Sequence, residues 1–217
     1  MVITTSKPID EIVTALKEGG VKRLFLLGCG DCATICNTGS EAVLSEKTAY
    51  LTSSGFVITG STVVDVGCNA AQVSISLVKQ KAALKEAEAI VVFSCGLGIQ
   101  SAALGLREPK KIFAACNTHY VGILNKSNNA EQLCSLCGEC NLTQTGAYCI
   151  KTLCPKEMGN GPCGGVRDGK CEVIRDRECV WVTMFQRNKQ TVSGLFERIS
   201  PPRNHAKGKH PQKTQLK

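Results

Sequence analysis

Histidine is scarce in this chain. It supplies three of 217 residues, and two of those, His205 and His210, lie in a basic C-terminal tail. Any metal held here must rely almost wholly on other ligands. The first twenty residues, MVITTSKPIDEIVTALKEGG, lack an apolar core flanked by a basic start and a small-residue cleavage site, so no signal peptide is expected. No stretch approaches the roughly 18 to 20 consecutive apolar residues of a membrane span. No Gly-x-Gly-x-x-Gly nucleotide fingerprint occupies a strand–helix turn; Gly28-Cys-Gly is truncated relative to it, and Gly96-x-Gly98 lacks the third glycine. Internal repeats are also missing. These absences point to a cytoplasmic chain without membrane insertion and without a recognisable nucleotide-binding turn.

Cysteine is abundant, with fourteen residues in two groups. Cys29, Cys32 and Cys36 stand close together, and Cys68, Cys95 and Cys116 stand singly. Eight more crowd one stretch: Cys134, Cys137, Cys140, Cys149, Cys154, Cys163, Cys171 and Cys179. In a reducing cytosol such density reads as metal-binding or catalytic rather than as a disulfide frame. With histidine scarce, all-thiolate ligation is the main option, which suits zinc or iron–sulfur clusters.

Hydrophobic residues make up 43% of the chain but are unevenly spread. Long apolar runs fill residues 1–125, whereas 130–180 hold cysteine, glycine and charge with few aliphatics. A segment of that kind needs a metal or cross-links to fold. Three regions are expected: an α/β domain over 1–127, a cysteine-rich metal or cluster domain over 128–200, and a disordered basic tail over 201–217. Five cations of the tail, Arg203, Lys207, Lys209, Lys213 and Lys217, account for much of the net charge of +8. The body is therefore only mildly basic, and nucleic acid is not an expected partner.

The apolar spacing Ile9, Ile12, Val13, Leu16 predicts a helix over 9–18, opened by Pro8 and closed by Gly19-Gly20. Val21–Leu27 reads as a buried strand. Thr38 with Glu41 makes a capping-box pattern for a helix to about Leu51. Further strands are expected at Ser61–Val66, Ala89–Ser94 and Lys111–Ala115, with a helix over Asn69–Ala87 and a glycine-containing helix before the last strand. Strands alternating with helices indicate a parallel sheet of flavodoxin- or Rossmann-like type. Cys29, Cys68, Cys95 and Cys116 then each follow a strand. In such sheets ligands bind beyond the carboxyl ends of the strands, so the thiols should line one sheet edge beside Cys32 and Cys36.

Cys29-x2-Cys32-x3-Cys36 can supply three thiolates to one cluster, with Cys95 preferred over Cys68 as the fourth. The competing reading is a dithiol pair among buried structural thiols, although Cys36 has no role in such a pair. Cys116 reads equally well as core. Cys134-x2-Cys137-x2-Cys140 matches the first three ligands of the bacterial ferredoxin run, but the next thiol is Cys149 and Cys-Pro arrives only at Cys154-Pro155. Structural zinc is the alternative there, because paired cysteine knuckles hold it too. Asp31 fits a helix cap, His119 a structural role, and Trp181 packing against the cysteine-rich lobe.

Gly28-Cys29-Gly-Asp-Cys32-Ala-Thr-Ile-Cys36, Leu136-Cys137-Gly-Glu-Cys140, Thr145-Gly146, Asn160-Gly-Pro-Cys163-Gly-Gly165, Gly169-Lys-Cys171-Glu-Val173 and Cys179-Val-Trp181 together resemble the small iron–sulfur subunit of bacterial, acetogen-type methylenetetrahydrofolate reductases. The resemblance covers roughly residues 5–200. Its C-terminal part is similar to the methylenetetrahydrofolate reductase C-terminal domain family. It implies two [4Fe–4S] clusters and up to three, with zinc as a further option. It also implies a flavin-containing catalytic subunit as partner, with the flavin there rather than here. The upstream electron donor would be a ferredoxin-, NADH- or hydrogenase/heterodisulfide-reductase-type module. Neither Cys116 nor the tail belongs to the motif.

The expectation is thus an electron-transfer subunit of one-carbon (Wood–Ljungdahl) metabolism, without catalytic residues of its own. Cluster ligands are expected among Cys29, Cys32, Cys36, Cys68, Cys95, Cys134, Cys137, Cys140 and Cys179, and a further metal among Cys149, Cys154, Cys163 and Cys171. The rival readings are a zinc-stabilised interaction or nucleic-acid-binding module and a dithiol oxidoreductase.

Overall fold

The computed structural model describes residues 1–187, 199–208, 212, 214 and 215. Parts of the expected cysteine-rich domain (188–198) and of the expected disordered tail, including Lys209, His210, Lys213 and Lys217, lie outside the described residues. The chain divides into two units, Met1–Tyr120 and Val121–Lys217. Among the described residues no helix is long and apolar enough to cross a membrane.

The first unit is a mixed α/β layer. In order it contains β1 (Val2–Ser6), α1 (Ile9–Glu18), β2 (Arg23–Cys29), α2 (Cys32–Ile35), α3 (Glu41–Ser53), β3 (Val57–Val64), α4 (Ala70–Lys79), α5 (Lys81–Glu86), β4 (Ala89–Phe93), α6 (Gly96–Gly105), β5 (Lys111–Ala114) and β6 (Cys116–Val121). A parallel four-stranded sheet runs β3-β2-β4-β5, and β1 pairs separately with β6. The two central strands, RLFLLGC and AIVVF, are buried along nearly their whole length. Continuous apolar runs of that kind are what a parallel sheet covered on both faces requires.

Strand alternation divides the core. Leu24 and Leu26 of β2 and Val91 and Phe93 of β4 face one side, where Ile12 and Leu16 of α1 and Leu44 and Leu51 of α3 cover them. Phe25, Leu27, Ile90 and Val92 face the other, under α4, α5 and α6. Each fully buried side chain of this size contributes about 1.5–3 kcal/mol.

The strand order reverses between β2 and β4, so the crevice of the sheet opens where those two strands end. Backbone packs tightly there. The Cys29 N–H donates to the Gly39 carbonyl at 3.1 Å. A Cβ on Gly39 would collide with the Phe93 carbonyl, and one on Gly28 with the Gly39 carbonyl. Gly39→Ala is therefore expected to destabilise this unit by about 1–3 kcal/mol. Urea unfolding followed by circular dichroism checks this, and a loss below about 0.5 kcal/mol would contradict the crowding.

The expected parallel α/β layer is present, with local differences. The helix after Gly39 is capped by Ser40, whose Oγ accepts from the Val43 N–H at 3.3 Å. Thr38, expected as the cap, is buried instead; it bonds Thr4 Oγ1 at 2.8 Å and the Ala33 carbonyl at 3.0 Å. The helix expected over Asn69–Ala87 is two helices broken at Gln80. Asn69 caps the first by accepting from the Ala71 and Gln72 N–H groups. The β3 strand begins at Val57, ahead of the expected Ser61.

The second unit has little regular structure. Among its described residues it holds a short hairpin, β7 (Ile123–Leu124) with β8 (Ala130–Glu131), and two α-helices, α7 (Ile150–Leu153) and α8 (Val180–Arg187). Its buried core is Ile150, Cys179, Val180, Trp181 and Met184. The Trp181 indole N–H donates to the Met158 carbonyl at 3.0 Å. His205–Gly208 of the tail forms one 3-10 turn.

Candidate metal centres

Six thiols belong to the first unit, and all fourteen in the chain are free. Cys29 ends β2, Cys95 precedes α6 and Cys116 begins β6; all three are buried. Cys32 and Cys36 bracket α2. The Cys32 sulfur accepts from the Val2 N–H at 3.4 Å, and the Cys36 thiol approaches the Val2 carbonyl at 3.8 Å. Both therefore gather on one residue of β1. Cys68 is exposed in the turn before α4.

Cys29 and Cys116 lie on opposite faces. Cys29 continues the alternation of Phe25 and Leu27, and its sulfur accepts from the Gly67 N–H at 3.4 Å. Next to it is Ser94, whose buried Oγ has no hydrogen-bond partner. Cys116 packs with the cluster under α1 and α3, and its thiol approaches the Thr38 carbonyl at 3.7 Å.

The electrostatics follow burial. Desolvation pushes the Cys116 thiol up from 9.0 to about 11; the Thr38 contact opposes the shift, and charge on Cys95 or Cys36 adds to it. Burial also raises Cys32, against the Val2 N–H and with the help of Asp31. Asp31 makes no side-chain cap of α2; its carboxylate instead faces the Cys32 thiol at 3.7 Å. Because the folded Cys116 holds its proton more tightly than the unfolded chain does, metal-free protein should lose stability as pH rises from about 9 to about 11. In metal-free protein at pH 8, iodoacetamide should modify Cys68 well before Cys116. Peptide mapping reads the order, and equal rates would contradict the burial argument.

The eight thiols of the second unit fall into two neighbourhoods. Cys154, Cys163, Cys171 and Cys179 line one small cleft of about 20 Å³, walled by Val180 and Trp181. At its mouth Lys156 pairs with Glu172 at 2.5 Å, and the Cys163 thiol lies 3.6 Å from the same carboxylate. The Lys156 bond holds Glu172 below its ordinary value, and Lys156 is raised by that bond and by Cys163 and Cys171. Cys134, Cys137 and Cys140 occupy the loop before α7, and Cys149 stands at the start of α7. Lys151 of α7 reaches back to both the carbonyl and the carboxylate of Glu139, at 3.3 Å each. This tie joins the Cys137–Cys140 loop to the helix that begins at Cys149.

The cleft therefore groups Cys179 with Cys154, Cys163 and Cys171, while Cys149 precedes the helix that Lys151 ties to the Cys137–Cys140 loop. Spacing alone could not have paired Cys179 with residues that far upstream. Among the described residues, no three His, Cys, Asp or Glu side chains converge closely enough to hold a single metal ion. Of the other singled-out residues, His119 bonds the Thr5 hydroxyl at 2.8 Å on the surface, a structural contact. Trp181 packs beside the cysteine cleft, as expected.

Residues 113–206 match the family described as methylene-tetrahydrofolate reductase C terminal. That span includes every thiol of the second unit. No curated protein matches the chain. Among solved structures, a branched-chain amino acid ABC transporter periplasmic ligand-binding protein from Burkholderia xenovorans LB400 is 23% identical with a TM-score of 0.37. An extracellular ligand-binding receptor from Verminephrobacter eiseniae gives the same identity and score. Each likeness covers 49% of this chain, which spans only 28% of the matched protein. The C-terminal region of this chain is thus similar to the methylenetetrahydrofolate reductase C-terminal family.

Proposed function

We propose that this chain is an iron–sulfur electron-transfer subunit of a methylenetetrahydrofolate reductase complex. The observation that carries the reading is the family match over residues 113–206, a span that includes two sets of four thiols. All-thiolate sets suit clusters and zinc. When bound, clusters supply one-electron transfer. The rest is the work of this chain's residues. Cys134, Cys137, Cys140 and Cys149 form one ligand set, braced by the Glu139–Lys151 tie. Cys154, Cys163, Cys171 and Cys179 form another, for a cluster or zinc, with Lys156 offsetting thiolate charge. Thiols at the carboxyl edge of the first unit's sheet would hold a further cluster. Hydrogen bonds from backbone amides, such as that of the Val2 N–H to the Cys32 sulfur, would help to set its potential.

The resemblance to the reductase family, together with the lack of a nucleotide fingerprint in this chain, assigns the flavin and the folate chemistry to a catalytic partner. The cytoplasm is the expected compartment for so many free thiols. The test is anaerobic. This protein is reduced with dithionite, freed of excess reductant, and mixed with the flavin-containing catalytic subunit of a methylenetetrahydrofolate reductase. Co-elution and bleaching of the flavin are expected. Separate elution with an oxidised flavin would overturn the assignment.

A further inference from the structure

We propose that Cys116 is a ligand of the first unit's cluster, completing a four-thiolate set with Cys32, Cys36 and Cys95, and that Cys29 stands outside that set. The inference rests on the electron-transfer reading above and names the residues of one of its sites.

Three features place Cys116 with the others. The β6 strand, which Cys116 begins, pairs with β1, and Val2 of β1 is the residue on which the Cys32 and Cys36 sulfurs gather. Thr118 of the same strand accepts from the Gly96 N–H at 2.8 Å, which fixes β6 against the turn that carries Cys95. The Cys116 thiol also reaches the Thr38 carbonyl, two residues beyond Cys36. Cys29 differs on each count. Alternation along β2 turns it to the face under α4 and α6, and its sulfur is engaged by Gly67 N–H.

The donor chemistry fits a cluster. The four thiols come from three separate segments tied together through Val2, Thr118 and Thr38, and soft thiolates are the ligands such clusters take. A buried structural cysteine would need none of these neighbours.

The test uses full-length protein reconstituted anaerobically with iron and sulfide. Iron, sulfide and the electron paramagnetic resonance spectrum of the dithionite-reduced state are compared for wild type, Cys116→Ala and Cys29→Ala, two equally buried positions. Cys116→Ala should lose one centre, roughly four irons per chain, while Cys29→Ala keeps the wild-type content. Circular dichroism of the metal-free forms verifies that each variant folds. If Cys116→Ala does not fold, the near-isosteric Cys116→Ser decides: iron lost, or retained with an altered spectrum, supports ligation. Wild-type iron with an unaltered spectrum in a Cys116 variant, or loss of the centre in a folded Cys29→Ala, overturns the proposal. Wild-type protein that takes up no iron would instead overturn the electron-transfer reading itself.

Discussion

Stripping metal from the protein with a chelator is expected to unfold the second unit and leave the first folded. Among its described residues, the second unit buries a handful of side chains around Trp181. At about 1.5–3 kcal/mol per buried side chain, that core cannot offset the cost of ordering its long loops, which is about 1–2 kcal/mol per residue. Metal held by its thiols would supply what is missing, since structural zinc in small domains contributes on the order of 10 kcal/mol. The first unit carries two aliphatic clusters on either side of its sheet and needs no such help. Trp181 is the single tryptophan of the chain and is 5% exposed, so its fluorescence reports on the second unit alone. Its emission should shift to the red as metal leaves, while most helical ellipticity remains. Emission unchanged after complete metal removal would show that the second unit folds without it.

Cys137→Ser should remove roughly four irons per chain and leave the first unit unaltered. Cys137 lies at the middle of the Cys134–Cys140 triplet, on the loop that Lys151 pins through Glu139. If Cys134, Cys137, Cys140 and Cys149 share a centre, as proposed, losing one of the four thiolates would uncouple that loop from Cys149 as well. The first unit shares no ligand with this set, so its unfolding midpoint should not move. Full iron content in Cys137→Ser would remove this ligand set from the account.

Much of the first unit was legible because its chemistry is local. The β2 and β4 runs are apolar throughout, and an amphipathic α1 between Pro8 and Gly19 carries its own start and stop. Thiols recurring after strands placed Cys29, Cys68 and Cys95 at or beyond the carboxyl ends of β2, β3 and β4. What stayed hidden depends on contacts between distant residues. The β1 segment, Val-Ile-Thr-Thr-Ser, has no strong pattern, and its partner β6 lies more than a hundred residues away. Thr38 matches a cap motif, but tertiary bonds to Thr4 and Ala33 claim its hydroxyl, and Ser40 takes the role. Cys116 read equally well as core because only β6 pairing reveals its neighbours. In the second unit, turn-rich loops carry no periodicity, so the grouping of Cys179 with Cys154 had no signal in spacing.

Iron, zinc and acid-labile sulfide per chain, measured on anaerobically purified protein with visible spectra before and after dithionite, test the central claim most directly. The account predicts brown protein with iron and sulfide in equal amounts and an absorption band that dithionite bleaches. Zinc alone, in colourless protein without sulfide, would contradict electron transfer and make the thiols a purely structural device.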